Sequence, residues 1–467
     1  MADLISILSS GAASLAAQQA AAATASHNIQ NANTAGYARQ RAEISAVLPA
    51  ERVSGGFIGR GAELQTVTQA RDRFLEAQIP AQLGLSARSS ATASALDAVS
   101  ALDPQTGGGL SSAISDFYSA LRALSQNPGD ASLRAAAAGS ARSLALAFNR
   151  TAGSLESARS GIDPKIQGDV DEVNDLAAQV ASYNKDIRAA RAAKSGEPND
   201  LLDARQKAVD RLAELTGATP VTTSEGDVSV FMPGGTALVT GISSGTLSAL
   251  ADPANGGHLA LRFTPTPGQP AQAVTSAGGE LGGLLDARDG ALGTAVSSID
   301  TLAFDLGNAL NAVHAAGYGT DGSTGNPLFD VGATAAGAAS RMALSAAVAA
   351  DPRALAASAS PTGIPGDATN LLALVGTEQA ALSSGLDASG TFARITSQFG
   401  TASKSADAAR DLDGALLDHL QTMRQSVSGV SVDEEVIELQ KAQKGYEAIT
   451  RVIQVSSEMF DTLLQLK

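Results

Sequence analysis

The chain has 467 residues, room for roughly two to four domains with buried cores. Hydrophobic residues make up 44% but aromatics only 3%, with no Trp, so Ala, Leu and Val predict thin, closely packed helices and not an aromatic-lined pocket. The net charge of −15 and the lack of a basic cluster exclude a phosphate-tracking nucleic-acid binder, and the absence of Cys removes disulfides and thiolate metal sites.

Taken in chain order, Met1, Ile5, Leu8, Ala12, Leu15, Gln19, Ala22, Ser26 and Ile29 recur at alternating steps of four and three. They predict a helix about 45 Å long. Past Leu15 the stripe thins to Ala, Gln and Ser, so the helix needs a close partner. Asp3 stands where a signal peptide carries Lys or Arg, so no cleaved signal is expected. No run long enough to cross a membrane is present, and no membrane partner is expected.

From Ser26 to Gln40 the Asn- and Gly-rich sequence predicts a capped helix end and a specific turn, with Asn31, Asn33, Gly36, Tyr37 and Arg39 as its key residues. Arg60–Arg73 mixes Arg with Glu63, Gln65 and Asp72 and reads as a solvated or intersubunit face. A run from Ile166 to Ile187, the turn Ser195–Asp200, and a second run through Leu202, Val209 and Leu212 predict an antiparallel helical hairpin. Asn184 falls on that stripe and reads first as a solvated rim residue, with register fixing as the alternative.

Between about residues 217 and 280 the period changes to two. Val228, Val230 and Met232 alternate with Ser229 and Phe231, and Leu259, Leu261 and Phe263 alternate with Ala260, Arg262 and Thr264. Helical spacing resumes from Leu285 to Val313, gives way to loops and short elements across Gly317–Gly366, and returns from Phe392 to Val427.

A last helix opens with a capping box, Ser431 as N-cap and Glu434 reaching back. Its stripe runs Val432, Val436, Leu439, Gln443, Tyr446, Thr450, Ile453, Ser457, Phe460, Leu464, beside a second track of Ile449, Val452, Met459, Leu463 and Leu466. Two tracks exceed what one partner helix covers, so further neighbours are expected.

Enzyme-like patterns fail on context. Gly241-Ile242-Ser243-Ser244-Gly245 fits a hydrolase nucleophile elbow only formally, because no alternating β-α run surrounds it and His258 and His314 are unplaced bases. Asp321, Ser323 and Gly325 hint at a calcium loop, yet Asn326 and Gly332 occupy the positions that require Gly and Glu. No catalytic, cofactor-binding or metal-binding residue is therefore expected.

Asn28, Ile29, Asn31, Asn33, Thr34, Gly36, Tyr37, Arg39 and Gln40 match the signature Asn-Ile-Ala-Asn-x-Asn-Thr-Pro-Gly-Tyr-x-Arg-Gln of flagellar axial proteins, with Ala35 replacing Pro. Val427–Glu435 is similar to a Ser-Gly-Val-x-Leu-Asp-Glu-Glu segment of the hook-associated members. Interior segments Pro198–Arg205, Leu281–Leu285 and Leu302–Gly322 agree as well. The chain thus resembles, end to end, the first hook-associated family, the bacterial flagellar hook–filament junction proteins; hook protein and the second junction protein share only the termini.

The resemblance implies an elongated, mainly α, multidomain axial subunit with a small inserted β domain. It sets a terminal coiled coil at 1–45 and 426–467, a helical middle domain at 46–215 and 281–425, and an outer β domain at 216–280. It implies self-assembly into a ring of about eleven subunits. Hook protein and the second junction protein are implied as neighbours, with an export chaperone on the C-terminal helix. It further implies an extracellular, flagellar location reached by type III export. Ile5, Leu8, Leu15, Ile29, Val436, Leu439, Tyr446, Ile453, Phe460, Leu463 and Leu464 are the expected assembly residues. A larger outer β insert, which many relatives carry after the Asp321 loop, is not expected here.

Overall fold

The computed structural model describes residues 2–34, 36–47, 52–53, 56–57, 61–99, 102, 109–193 and 196–465. Residues 2–31 hold no Pro and a single Gly, and they form one helix, α1 (Ala2–Asn31). Gly36, at φ +83°, redirects the chain. Strands β1 (Gln40–Ala46), β2 (Arg52–Val53), β3 (Gly56–Phe57) and β4 (Ala62–Gln69) follow, with β1 paired antiparallel to β4 and β2 to β3. This hairpin lies on α1, where the Ala62 amide donates to the Ser14 hydroxyl at 2.9 Å. The segment read as a solvated or intersubunit face is largely β4, with Glu63, Leu64 and Gln65 exposed.

Five helices make most of the body: α2 (Arg73–Asp97), α3 (Leu110–Gln126), α4 (Ala131–Ser160), α5 (Asp163–Ala192) and α6 (Asn199–Thr216). Asp72 and Asp130 accept from the first free amides of α2 and α4, and Gly217 closes α6 in the left-handed region at φ +66°. The expected α5/α6 hairpin is present.

The β region holds β5 (Thr219–Thr222), β6 (Val228–Phe231), β7 (Ala237–Thr240) and β8 (Ser243–Ser244) as one antiparallel meander. A second sheet has the order β11-β10-β9, from β9 (Thr246–Ala251), β10 (Leu259–Thr264) and β11 (Gln272–Ala273). Leu261 and Phe263 point inward and Arg262 outward, as the alternation requires. Ser229 departs from it: the residue is buried, and its hydroxyl accepts the Gly241 amide at 3.3 Å.

The chain returns as a continuous helix, α7 (Gly279–Leu285), a π-helical turn (Asp286–Leu292) and α8 (Gly293–Ala316). The extra residue of the π turn carries Arg288 into the interior, against Asp163 and Asp289. Short elements follow: β12 (Phe329–Asp330), α9 (Ala338–Arg341), β13 (Ala343–Leu344), α10 (Ala346–Ala350) and α11 (Thr369–Gly376). Two long helices finish the chain, α12 (Ala388–Ser428) and α13 (Val432–Gln465).

One buried cluster extends from Ala93 on α2 through α3 to α8 and strands β6, β7, β9 and β10 to Ala406 on α12. The strands thus share a core with the helices, each fully buried Leu or Val adding about 2 kcal/mol of transfer free energy. A smaller cluster of Leu75, Ile79 and Leu83 with Leu420 joins the N-terminal part of α2 to the C-terminal part of α12.

Candidate functional site: the joint between the terminal helices and the body

α1 and α13 pack antiparallel at short range, because small residues face large ones. A Cβ built on Gly11 would lie 2.9 Å from Ile453, and one on Gly445 would lie 2.8 Å from the Gln18 amide oxygen. Ala17, Ala25, Ala442 and Ser456 are buried along this seam. On α13 the seam therefore runs Glu435, Leu439, Ala442, Tyr446, Ile449, Ile453, Ser456, Phe460, a heptad register.

That register corrects half of the stripe expected from sequence. Leu439, Ile453 and Phe460 lie on it and are half-buried, whereas Val436 lies off it and is exposed; Tyr446 is on it but keeps a large exposed surface. Val436 is displaced because the Ala- and Gly-rich face of α1 leaves room for Ala442 and Ser456, not for a second large row. On α1, Leu8, Leu15 and Ile29 are half-buried. The side chains of Ile5, Leu463 and Leu464 lie outside the described residues. Val452, Val455 and Met459 are exposed on α13, and Val452 borders a shallow groove of about 260 Å³ with Ile7, Gly11 and Ile449.

Where the pair meets the body, Asn28 is 1% exposed and uses its whole amide. Its Nδ2 donates to the Gln40 carbonyl and to Glu435 Oε2, each at 2.8 Å; its Oδ1 accepts the Gln40 amide at 2.9 Å and the Tyr37 hydroxyl at 2.7 Å. Two donors and two acceptors are all filled, which fixes the amide orientation. Because the Tyr37 proton goes to Asn28, the His27 Nδ1 at 3.1 Å is the donor to the Tyr37 oxygen. Burial first, then the charges of Asp203, Asp200 and Glu435, hold the Tyr37 phenol above its usual range, so it stays a donor.

Glu435, 3% exposed, is neutralised by Arg39 Nε at 2.6 Å, and Arg39 Nη1 reaches Glu434 at 2.8 Å. Glu434 thus serves Arg39 and not the reach back to Ser431 expected of a capping box. The Arg39 backbone is bound on both sides: its amide donates to the Ser428 carbonyl at 2.9 Å, and its carbonyl accepts the Ala70 amide at 2.8 Å. The hairpin, α12 and α13 therefore meet at Arg39, and α1 joins them through the bond from Asn28 to Glu435.

The remaining turn residues act locally. Asn31 Nδ2 donates to the His27 carbonyl at 3.0 Å and Asn31 Oδ1 accepts Thr34 Oγ1 at 3.2 Å, while Asn33 is exposed. Gly36 meets no crowding, so its positive φ alone calls for glycine.

The N-terminus of α6 completes the joint. Asn199 Nδ2 donates to the Val67 carbonyl at 2.9 Å, Gln69 Nε2 returns to the Asn199 carbonyl at 3.1 Å, and Gln40 Nε2 reaches Asp200 at 3.3 Å. Asp203 pairs with Arg71, which also holds Glu76 at 2.7 Å. Further along α6, Arg205 donates to Asn184 Oδ1 and to the Gly226 carbonyl, both at 2.9 Å. Asn184 is fully buried and clips β6 and the 241 turn through Val228 and Gly241, which overturns the solvated-rim reading.

Sequence reasoning missed Glu435 as a site residue. The signal was available: a carboxylate on an otherwise apolar heptad seam demands a buried partner.

Elsewhere, Ser243 sits in the short strand β8, and His258 is held by Asp163 at 2.8 Å and Glu156 at 3.0 Å. Asp321 closes a turn by accepting the Ser323 amide at 2.9 Å. No metal-binding cluster occurs among the described residues.

The class the fold defines is a helical body to which the terminal helices α1 and α13, paired with each other, are clipped by a polar joint. The family model "Flagellar hook-associated protein FlgK helical domain" matches residues 96–329, half of the chain, and "Flagellar basal body rod FlgEFG protein C-terminal" matches residues 424–466. Flagellar hook-associated protein 1 of Salmonella typhimurium is 30% identical over 340 residues, covering 71% of this chain and 60% of that protein. The Bacillus subtilis protein of the same name is 28% identical over 500 residues, covering 96% of each. The flagellar hook junction protein FlgK from Burkholderia pseudomallei shares the fold, with a TM-score of 0.67 over 76% of this chain and 100% of that one at 18% identity. The chain belongs to the flagellar hook-associated protein family of FlgK type; it spans about 60% of the length of its Salmonella relative.

Proposed function

We propose that the chain forms the ring joining hook to filament and provides the surface on which flagellin polymerises. The observation that carries this reading is the α1/α13 pair, locked to the body through Asn28, Arg39 and Glu435 while Val436, Tyr446, Val452 and Met459 remain uncovered on α13. A seam filled on one side and apolar on the other suits a subunit completed by neighbours. The match across residues 96–329 favours this assignment over hook protein or the second junction protein, because the 424–466 match is one shared with rod proteins.

In this reading, residues 1–45 and 426–467 are innermost, 46–215 and 281–425 form the middle domain, and 216–280 the outer one. The ring holds about eleven copies, with hook protein below and the second junction protein above. The chain leaves the cell by the flagellar type III route, a chaperone covering the apolar outer face of α13 beforehand. Its role is assembly and not catalysis. Deleting the gene and imaging cells by electron microscopy tests the assignment: hooks without filaments, with unpolymerised flagellin in the medium, are expected. Filaments of normal number and length sink it.

A further inference from the structure

The turn at 252–258, which joins β9 to β10, is pinned to the helical body by a ring of charges. His258 faces Asp163 and Glu156, Arg288 bridges Asp163 and Asp289, and Arg159 returns to Glu156 at 3.2 Å. Asn255 closes the ring. Its Nδ2 donates to Asp289 Oδ1 at 2.9 Å, and its Oδ1 accepts from Arg159 Nη2 at 3.3 Å. Three carboxylates and two guanidiniums thus surround an uncharged amide, which donates to one of the carboxylates.

Asn255 is also the one asparagine in the sequence that precedes a glycine. Attack on an asparagine side chain by the next backbone nitrogen closes an imide ring, and glycine leaves that nitrogen unobstructed and its backbone free to turn. Gly256 is exposed at φ +66°, a Cβ built on it would meet nothing closer than 3.9 Å, and Gly257 follows at φ +91°. The Asn255 and Gly257 amides both donate to the Asp252 carbonyl, at 3.0 and 2.9 Å. The Gly256 amide between them meets no acceptor in hydrogen-bond geometry among the described residues. Both Asn255 and Gly256 line an open groove of about 750 Å³, so water reaches the site.

We propose that Asn255 is a self-modification site, converting to aspartate or isoaspartate and releasing this turn from the body. The Gly256 nitrogen gives its proton to water and bonds to Asn255 Cγ, while Arg159 donates to the Oδ1 that takes up negative charge. The Cγ–Nδ2 bond then breaks, and Nδ2 leaves as ammonia with the proton returned by water. One water opens the imide at either carbonyl, so the reaction consumes water alone and exchanges no electrons. The product puts a carboxylate where the amide donated. Asp289 Oδ1 then faces a second acceptor of like charge, and four carboxylates stand against Arg159 and Arg288. Isoaspartate also adds a main-chain carbon, which displaces the His258 amide from the Asn255 carbonyl, its partner at 3.2 Å.

The test incubates the full chain at mildly alkaline pH and follows its peptides by mass spectrometry. The peptide carrying residue 255 is expected to gain the mass difference between an amide and an acid roughly tenfold faster than peptides carrying the other asparagines, and Gly256→Ala to slow that gain to their level. Faster conversion at another asparagine, or a parental rate in Gly256→Ala, overturns the proposal. Asn255→Asp sets the product charge in place without reaction time. It should speed amide hydrogen exchange across residues 246–264 roughly tenfold and leave residues 110–126 of α3 unchanged. Parental exchange across 246–264 overturns the release of the turn.

Discussion

Single asparagines on helices hold much of this molecule together. Asn28 and Asn184 each fill both donors and both acceptors with neighbouring backbone or side-chain groups, Asn311 holds the backbone at Leu328 and Phe329 through three bonds, and Asn174 clips Leu247 on β9 by both its atoms. An amide suits this work because it donates and accepts without carrying a charge into the interior. Asn28→Ala removes four bonds and leaves Glu435 Oε2 without its donor, at a cost of about 2–4 kcal/mol. Hydrogen exchange should show α1 and α13 losing protection while α3 to α5 keep theirs; uniform protection would contradict the account. Asp169 on α5 is a liability of the opposite kind. One of its oxygens is buried without a partner, and burial, with Glu280 next, pushes the carboxyl up to about 7. A raised folded pKa gives stability that is complete below the unfolded value and lost as pH rises through about 7. Asp169→Asn should therefore stabilise the chain at pH 8 by on the order of 1 kcal/mol and do little near pH 4. Denaturant titrations at the two pH values check this, and equal effects would refute it.

The elements differ in how plainly the sequence announces them. The long helices were legible because Ile166, Val170, Val173, Ala177 and Val180 repeat at helical spacing and are all buried. Strands β6 and β10 were legible from alternation. The β1/β4 hairpin was not: Arg41, Glu43, Ser45, Glu63 and Gln65 leave it polar and exposed, without a buried row to mark the period. The π turn was equally hidden, since its cause is the contact of Arg288 with Asp163, 125 residues away in sequence. The turn around Gly36 was foreseen, but its partners on α6 and α13 were not, as pairing over such separations leaves no local pattern. Gly11 shows how closely the terminal helices approach. Gly11→Leu drives a side chain into Ile453 and should separate the pair, lowering helicity by circular dichroism. Unchanged helicity and melting would show the contact to be looser than described.

The whole molecule is a helical body with strands built into its core and a terminal helix pair attached through one dense polar joint. Asn199, Asp200 and Asp203 on α6 hold the hairpin, Arg39 and Glu435 hold α13, and only residues 429–431 separate α12 from α13. The joint fixes the terminal pair against the body through these bonds, so the proposed assembly role puts its demand on this joint. The assembly role of the chain follows if that joint is required in the flagellum. The most direct measurement is electron microscopy of cells whose only copy carries Glu435→Ala, which leaves Arg39 without its buried partner and Asn28 without an acceptor. The account predicts hooks bare of filaments, as in the gene deletion, although the body remains folded. Filaments of normal number and length in that strain would contradict it.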